Sequence, residues 1–247
     1  MELQAEESFQ EYLSLYFKVP RVARLTPLSR VFDFIATGVP GPRDMLVVGK
    51  IAYEERRREQ NGAPVWDIIV VDAAASGHVV SHLAAPAAML SLVRGGAIRA
   101  QVEWIDELVR DASRSTVVLC ALPEEMPVVE AVELHDRLRR ETGVSVAACL
   151  LNRMVNVVVS PPQRRLAQQL CSESHLAAVQ RRLGGSPEAL PESLELAQRL
   201  HAKSVEYARR LRANLSVPVL PVPLETFSRS GLAMARAVAE SLSAATP

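Results

Sequence analysis

The residues best suited to chemistry lie between Ile68 and His78, in the stretch IIVVDAAASGH. A continuously apolar run ends at Asp72 and is followed by small residues and then by Gly77. In doubly wound sheets, ligands bind beyond the carboxyl ends of the strands. A carboxylate at that position, beside backbone that a ligand can approach closely, suits a Mg²⁺–water or phosphate site. An Asp that caps the following helix or turn fits the local pattern equally well.

A second stretch resembles the end of a phosphate-binding loop without satisfying its pattern. Gly49 and Lys50 form a G-K pair, but the motif GxxxxGK[ST] also requires Gly at position 44 and Ser or Thr at position 51. The chain has Asp44 and Ile51 there, within a segment that has helical spacing. Lys50 is therefore predicted to be a solvated helix residue.

Metal-binding patterns are weak. His78 and His82 have the spacing of one helix face, but Val79 stands where a zinc protease has Glu. The three cysteines are too few and too scattered for a disulfide framework or a CxxC pair. Cys120 and Cys149 lie inside apolar runs and are predicted to be small, buried core residues.

Composition excludes several classes of protein. The 247 residues include 28 basic and 28 acidic ones, and a chain without net positive charge is not a general polyanion binder. Aromatic residues make up only 4%, too few for a platform that stacks nucleic-acid bases. The first residues lack the pattern of a secretory signal, and the longest apolar stretch, Leu83–Val93, is too short to span a bilayer. We therefore expect a cytoplasmic protein that is not an integral membrane protein and has no nucleic-acid partner.

The elements that must position these residues alternate between strands and helices. Four continuously apolar runs predict buried parallel strands: Asp67–Ala73, Ser115–Leu122, Val144–Leu151 and Val217–Val222. Helical spacing is found in Ala97–Asp111, Glu124–Glu141, Pro187–Leu215 and Ser228–Ala244. Strands that alternate with helices indicate an α/β fold with a doubly wound, mostly parallel sheet.

The beginning of the chain has a different character. Residues 1–62 are predicted to be helical, with helices at Ala5–Phe17, Pro27–Thr37 and Arg43–Gln60, whereas residues 66–247 form the α/β part. We expect a single domain over residues 1–247. An α/β domain that reaches its first strand so late is unusual.

Four blocks, in this order, resemble the ArsA-type ATPases, the family of arsenite-transport and tail-anchored-protein-targeting ATPases. They are DAAASGH (Asp72–His78), LPEEMPVVEAVEL (Leu122–Leu134), CLLNRM (Cys149–Met154) and VPVLPVPLE (Val217–Glu225). The family's form of the first block is D-T-A-P-T-G-H, so positions 72, 74, 77 and 78 match, whereas positions 73, 75 and 76 depart. The run GHVVSHLAAP, followed by GGAIRAQVEWIDELV, looks like the bacterial branch. The resemblance implies a P-loop NTPase fold with a helical insertion.

The resemblance also implies roles for individual residues, with ATP and Mg²⁺ as cofactors. Asp72 would hold the water network of the Mg²⁺ ion, and Gly77 and His78 would belong to the same catalytic switch. Asn152 would bind the adenine edge, for which an amide offers both a donor and an acceptor. Pro223 and Leu224 would line the adenine pocket through their backbone. An ordinary turn residue is the alternative for Asn152.

The family's first strand and its glycine-rich, lysine-bearing loop have no counterpart here. The chain has three lysines, Lys18, Lys50 and Lys203, and none stands in such a loop. We expect the chain to be N-terminally incomplete, with the first strand or strands and the phosphate loop missing. Because that loop supplies much of the positioning and charge stabilisation in phosphoryl transfer, we expect no ATP hydrolysis and weak or absent ATP binding by this chain alone. The family's CxxC zinc site and arsenite-binding cysteines are also unmatched, so arsenite transport has no support.

In its complete form, such a protein would couple ATP binding and hydrolysis to a dimeric conformational switch. The expected partners are a second copy or a related ATPase subunit, and a protein or membrane-protein client for which Ser81–Val109 is the candidate region. A non-catalytic partner subunit or client-binding module is the alternative. A third possibility is an inactive fragment whose sheet lacks a strand beside the one that ends at Asp72.

Overall fold

The computed structural model describes residues 42–73, 76–171, 180–182, 189–224 and 231–245. The chain divides into two compact units. The helical unit is Met1–Val117 with Leu134–Val146, and the sheet unit is Val118–Glu133 with Ala147–Pro247. The predicted helices Ala5–Phe17 and Pro27–Thr37 lie outside the described residues.

Three helices contribute most of the core of the helical unit: α1 (Pro42–Arg56), α2 (Ser76–Leu92) and α3 (Ala97–Arg110). The apolar positions of α3 recur every three or four residues, so they share one face, and that face is buried. The buried cluster consists of Met45, Val48, Ala52, Ala85, Val102, Ile105, Leu108, Val109 and Val144. The predicted helix over Ala97–Asp111 is therefore confirmed.

Beyond residue 116 the chain alternates between strands and helices. In order, the elements are β1 (Val117–Ala121), α4 (Glu125–Arg137) with a π-helical turn (Leu138–Thr142), β2 (Val146–Met154), α5 (Pro161–Leu170), α6 (Leu190–Asn214), β3 (Val219–Pro223) and α7 (Gly231–Ala245). The strands form a parallel sheet in the order β1-β2-β3. The α/β class is confirmed, and so are three of the four predicted strands.

The central strand, β2, forms the core of the sheet. Cys149 pairs with Val219 of β3, and the side chains of Cys149 and Leu151 have no exposed surface. Burial, with a smaller effect from Cys120, raises the pKa of the Cys149 thiol to about 11. The prediction of a buried Cys120 is wrong, because β1 has one exposed face that includes Val118 and Cys120.

The prediction of a strand at Asp67–Ala73 is also wrong. The segment is irregular, and its apolar side chains face solvent, with exposed fractions of 80% at Ile68 and 88% at Val70. A strand requires a neighbour to satisfy its backbone N–H and C=O groups. No strand within the described residues pairs with this segment. Apolar composition alone therefore does not produce a strand here.

Glu54 of α1 anchors the start of that segment. Its carboxylate accepts hydrogen bonds from Trp66 Nε1 (3.1 Å) and Arg57 Nη1 (2.7 Å), and Lys50 Nζ lies 3.5 Å away. Burial opposes ionisation of Glu54, but these hydrogen bonds and the charges of Arg57 and Lys50 hold its pKa below the usual value. The side chain of Lys50 is only 11% exposed, so the prediction that Lys50 is a solvated helix residue is wrong.

Candidate functional site

A cavity of about 560 Å³ lies in the sheet unit, at the carboxyl ends of its strands. Small-molecule sites commonly have volumes of ~300–1,000 Å³. Residues 122–125 follow β1, Arg153 and Val155 lie at the end of β2, and Leu224 follows β3. This is the edge at which ligands bind in open parallel sheets.

Helix α6 forms a further wall of the cavity. It contributes Leu200, Lys203, Ser204 and Tyr207, which are spaced so that they share one face of a helix. Further along the same helix, Leu211 is completely buried. The cavity therefore combines apolar walls with a hydroxyl, a phenol and charged groups, which is typical of sites for small polar molecules.

Hydrogen bonds fix the segment after β2 against α6. Ser204 Oγ accepts a hydrogen bond from Val155 N (3.3 Å), and Val155 O lies 2.8 Å from His201 Nδ1. Because a carbonyl oxygen only accepts, this contact requires a proton on His201 Nδ1. Gln198 Nε2 donates to Val159 O at 2.9 Å. The position of the cavity wall is thus set by side chains of α6.

The end of β2 departs from regular strand geometry. The pairing with β3 shifts by one residue between Leu151 and Met154, which is the signature of a β-bulge. Arg153 has a φ of 58°, in the left-handed region that costs a non-glycine residue about 1–2 kcal/mol. Asn152 Oδ1 accepts a hydrogen bond from Arg153 N (2.8 Å) and so stabilises this conformation locally. Bulges beside functional sites often redirect a side chain, and Arg153 lines the cavity.

The structure brings three predicted site residues to adjacent strand ends. Leu224 lines the cavity, and its N–H donates to Met154 O at 2.9 Å. Pro223 ends β3 and pairs with Met154 of β2. Asn152 is exposed at the bulge, and because its amide oxygen already binds Arg153 N, the amide does not present both of its groups to a ligand in this conformation.

The other predicted site residues belong to the helical unit. Asp72 is exposed in the irregular segment, and Gly77 and His78 are exposed in the first turn of α2. His82 Nε2 lies 3.2 Å from Asp44 Oδ1. Among the side chains that the structure describes, no cluster of three His, Cys, Asp or Glu residues is arranged to hold a metal.

Sequence reasoning assigned no function to Arg153, Lys203, Ser204 or Tyr207. Two signals point to them in retrospect. Lys203 is one of only three lysines, and the spacing of residues 200, 203, 204 and 207 places an apolar, cationic and aromatic group on one helix face. The left-handed backbone of Arg153 has no comparable signal, since it depends on the β2–β3 register.

Sequence relatives come from mycobacteria. The chain is 30% identical over 227 residues to ATPase BagA of Mycobacterium tuberculosis, and it matches a protein of Mycobacterium bovis to the same extent. Both are named as ATPases. The match covers 88% of this chain and 65% of each relative, so the chain spans slightly less than two thirds of their length. No protein-family model matches the chain. No helix within the described ranges is long and apolar enough to cross a membrane.

Proposed function

We propose that this chain is the base-binding and switch-bearing part of an ArsA-type ATPase, and that the cavity of the sheet unit receives the nucleotide. The observation that carries the proposal is the cavity at the carboxyl ends of three parallel strands, lined by Leu224 and bordered by the bulge at Asn152. The similarity to proteins named as ATPases supports the same reading.

The walls of the cavity suit the nucleoside part of ATP. The cavity offers apolar walls and the ring of Tyr207 beside polar groups. Pro223 and Leu224 would border the adenine through their backbone, and the NH₂ group of the Asn152 amide would donate to its edge while Oδ1 keeps its hydrogen bond with Arg153 N. By the family resemblance, Asp72 would hold the water shell of a magnesium ion, and Gly77 and His78 would belong to the switch that responds to nucleotide state.

Hydrolysis requires groups that the sequence does not contain. The 247 residues include no GK[ST] loop, and such a loop supplies backbone N–H groups and a lysine to the phosphates. We therefore expect this chain to be inactive alone, and we propose that it acts within a cytoplasmic, ATP-driven dimeric switch that works on a protein or membrane-protein client. We expect MgATP turnover at background level. Turnover that Asp72→Asn abolishes would contradict this.

Photolabelling tests where the nucleotide binds. With 8-azido-ATP and ultraviolet light, we expect label on peptides that contain residues 122–125, 153–155, 200–207 or 224, and we expect excess ATP to compete for it. Tyr207→Leu should reduce the labelling, whereas Tyr53→Leu, which changes a tyrosine of the helical unit, should not. Label confined to other peptides, or label that ATP does not displace, would overturn the proposed site.

A non-catalytic partner subunit is the second candidate, and one observation favours it. Trp66, Ile68, Val70 and Val71 form an exposed apolar stretch, with exposed fractions from 45% to 88%. Contiguous apolar surface of this kind commonly marks an interaction with another polypeptide. If this candidate is correct, Ile68→Asp with Val70→Asp will abolish co-purification with a complete ATPase of the same type, and the double variant will still be folded.

A further inference from the structure

The end of β2 and the facing wall of α6 each present a cation to the same cavity. Arg153 and Lys203 both line it. Within the described part of the chain, neither side chain forms an ion pair with a carboxylate. Glu124 and Glu125 also line the cavity, so its charged residues are two basic and two acidic ones. Within the described residues, the two cations are thus not neutralised by a direct ion pair and can contact a ligand. The charged residues that line the cavity balance, so the cavity carries no large net charge.

The left-handed backbone of Arg153 indicates that the surrounding structure fixes this residue at the cavity. A non-glycine residue in the left-handed region is held there only when its surroundings determine the conformation. Here the hydrogen bond from Arg153 N to Asn152 Oδ1 and the bulge between β2 and β3 provide that determination. Glycine would adopt the same backbone more easily. The strained position therefore places a guanidinium, rather than the backbone alone, at the cavity.

We propose that Arg153 and Lys203 form a two-cation clamp for a phosphate group of the nucleotide in this cavity, with Asn152 as the positioning residue for Arg153. The clamp rests on the proposed function. A guanidinium binds phosphate oxygens in a bidentate manner, whereas the lysine ammonium acts as a point charge. The clamp would also make Lys203 a phosphate ligand although it lies on a helix after β2 and in no glycine-rich loop.

The test compares ADP with adenosine, which share the nucleoside and differ in the phosphates. Ligand-observed NMR titrations of the full chain are suitable because they measure weak affinities. The wild-type chain should bind ADP about 10-fold or more tightly than adenosine, because hydrogen bonds to charged groups contribute that much. Lys203→Met and Arg153→Gly should each reduce the ADP preference by a similar factor, while adenosine affinity stays within about twofold. Arg209→Met changes an exposed cation of α6 outside the cavity and should leave the preference intact.

The variants distinguish a loss of the clamp from a loss of folding and from a loss of nucleotide binding. Arg153→Gly suits the left-handed backbone, so its unfolding midpoint should be equal to or above that of the wild type. Asn152→Ala should lower the ADP preference, and Asn152→Asp, which keeps an acceptor for Arg153 N, should lower it less. Unchanged ADP preference in both cation variants would overturn the clamp and leave the nucleotide site standing. If neither ADP nor adenosine binds the wild-type chain, the nucleotide site and the clamp both fail.

Discussion

Residues 68–71 and residues 146–151 are two short stretches of apolar sequence without charged residues, yet their structures differ completely. The second belongs to β2, where Cys149 and Leu151 have no exposed surface. The first is irregular, with Ile68 and Val70 mostly exposed. β2 lies between two strands of the sheet, whereas no described strand pairs with residues 68–71. Strand formation in this protein therefore depends on neighbours as well as on local composition.

The same contrast applies to the candidate site residues near the ends of the strands and of the irregular stretch. Arg153 lies next to the last residue of β2 and Leu224 follows β3, so paired strands hold both residues at one cavity. Asp72 follows the unpaired stretch, and its position is not fixed by a ladder of hydrogen bonds. In the described part of this chain, the candidate site residues that the sheet holds in place are therefore those near the ends of paired strands.

The largest expected effect comes from a comparison of one apolar residue from each stretch. Leu151→Ala should lower the free energy of unfolding by about 2–5 kcal/mol, because it removes a completely buried side chain and leaves a cavity. Ile68→Ala should change it by less than ~0.5 kcal/mol, because its side chain is 80% exposed. Urea unfolding of the two variants measures both values. Similar losses would show that residues 68–71 are buried after all.

A smaller effect concerns Glu54, which binds Trp66 just before the unpaired stretch. Glu54→Gln removes the charge that accepts hydrogen bonds from Trp66 and Arg57, and it should cost about 1–3 kcal/mol at pH 7. Because the folded-state pKa of Glu54 lies below its unfolded value, the stabilisation is complete above the ordinary value of about 4.3 and is lost as pH falls through the folded-state value.

Denaturation of the wild type and Glu54→Gln at several pH values checks that sign. The difference between their stabilities should shrink as the pH is lowered from 5 to about 3. Glu107→Gln, an exposed glutamate of α3, is the control and should show little difference at any pH. A gap that stays constant or widens in acid would mean that Glu54 is not held in its charged form by these contacts.

The smallest effect concerns Ser204, whose hydroxyl holds the segment after β2 against α6. Ser204→Ala removes the acceptor for Val155 N and should lower the free energy of unfolding by about 1 kcal/mol. Ser193→Ala, on an exposed position of the same helix, should have an effect below ~0.5 kcal/mol. Equal stabilities of the two variants would indicate that Val155 finds another acceptor.

The sequence predicts the α/β class, three strands and the helices between them, because these elements are stabilised by the periodic burial that apolar spacing encodes. It does not predict the state of residues 67–73, since a strand there requires a partner that local sequence does not specify. The sequence does not predict the burial of Lys50 for a similar reason, since that burial depends on Glu54 and on the packing of α1.

The candidate site is predictable in outline and not in detail. Leu224 lies at the cavity, and its place after a strand is predictable from the sequence, whereas its contact with adenine stays a prediction. Lys203 and Tyr207 come from a helix about 50 residues beyond β2, so only the folded structure brings them to Arg153. The left-handed conformation of Arg153 depends on a one-residue register shift that no sequence pattern indicates.

Hydrogen exchange of the full chain, with and without millimolar MgATP, tests whether the nucleotide binds at the ends of the paired strands. We predict that MgATP slows exchange at the amides of residues 122–125, 153–155 and 224. Without nucleotide, residues 67–72 should exchange much faster than residues 149–151, whose amides belong to the sheet. If MgATP slows amide exchange only elsewhere in the chain and not at these strand ends, the proposed nucleotide site is wrong.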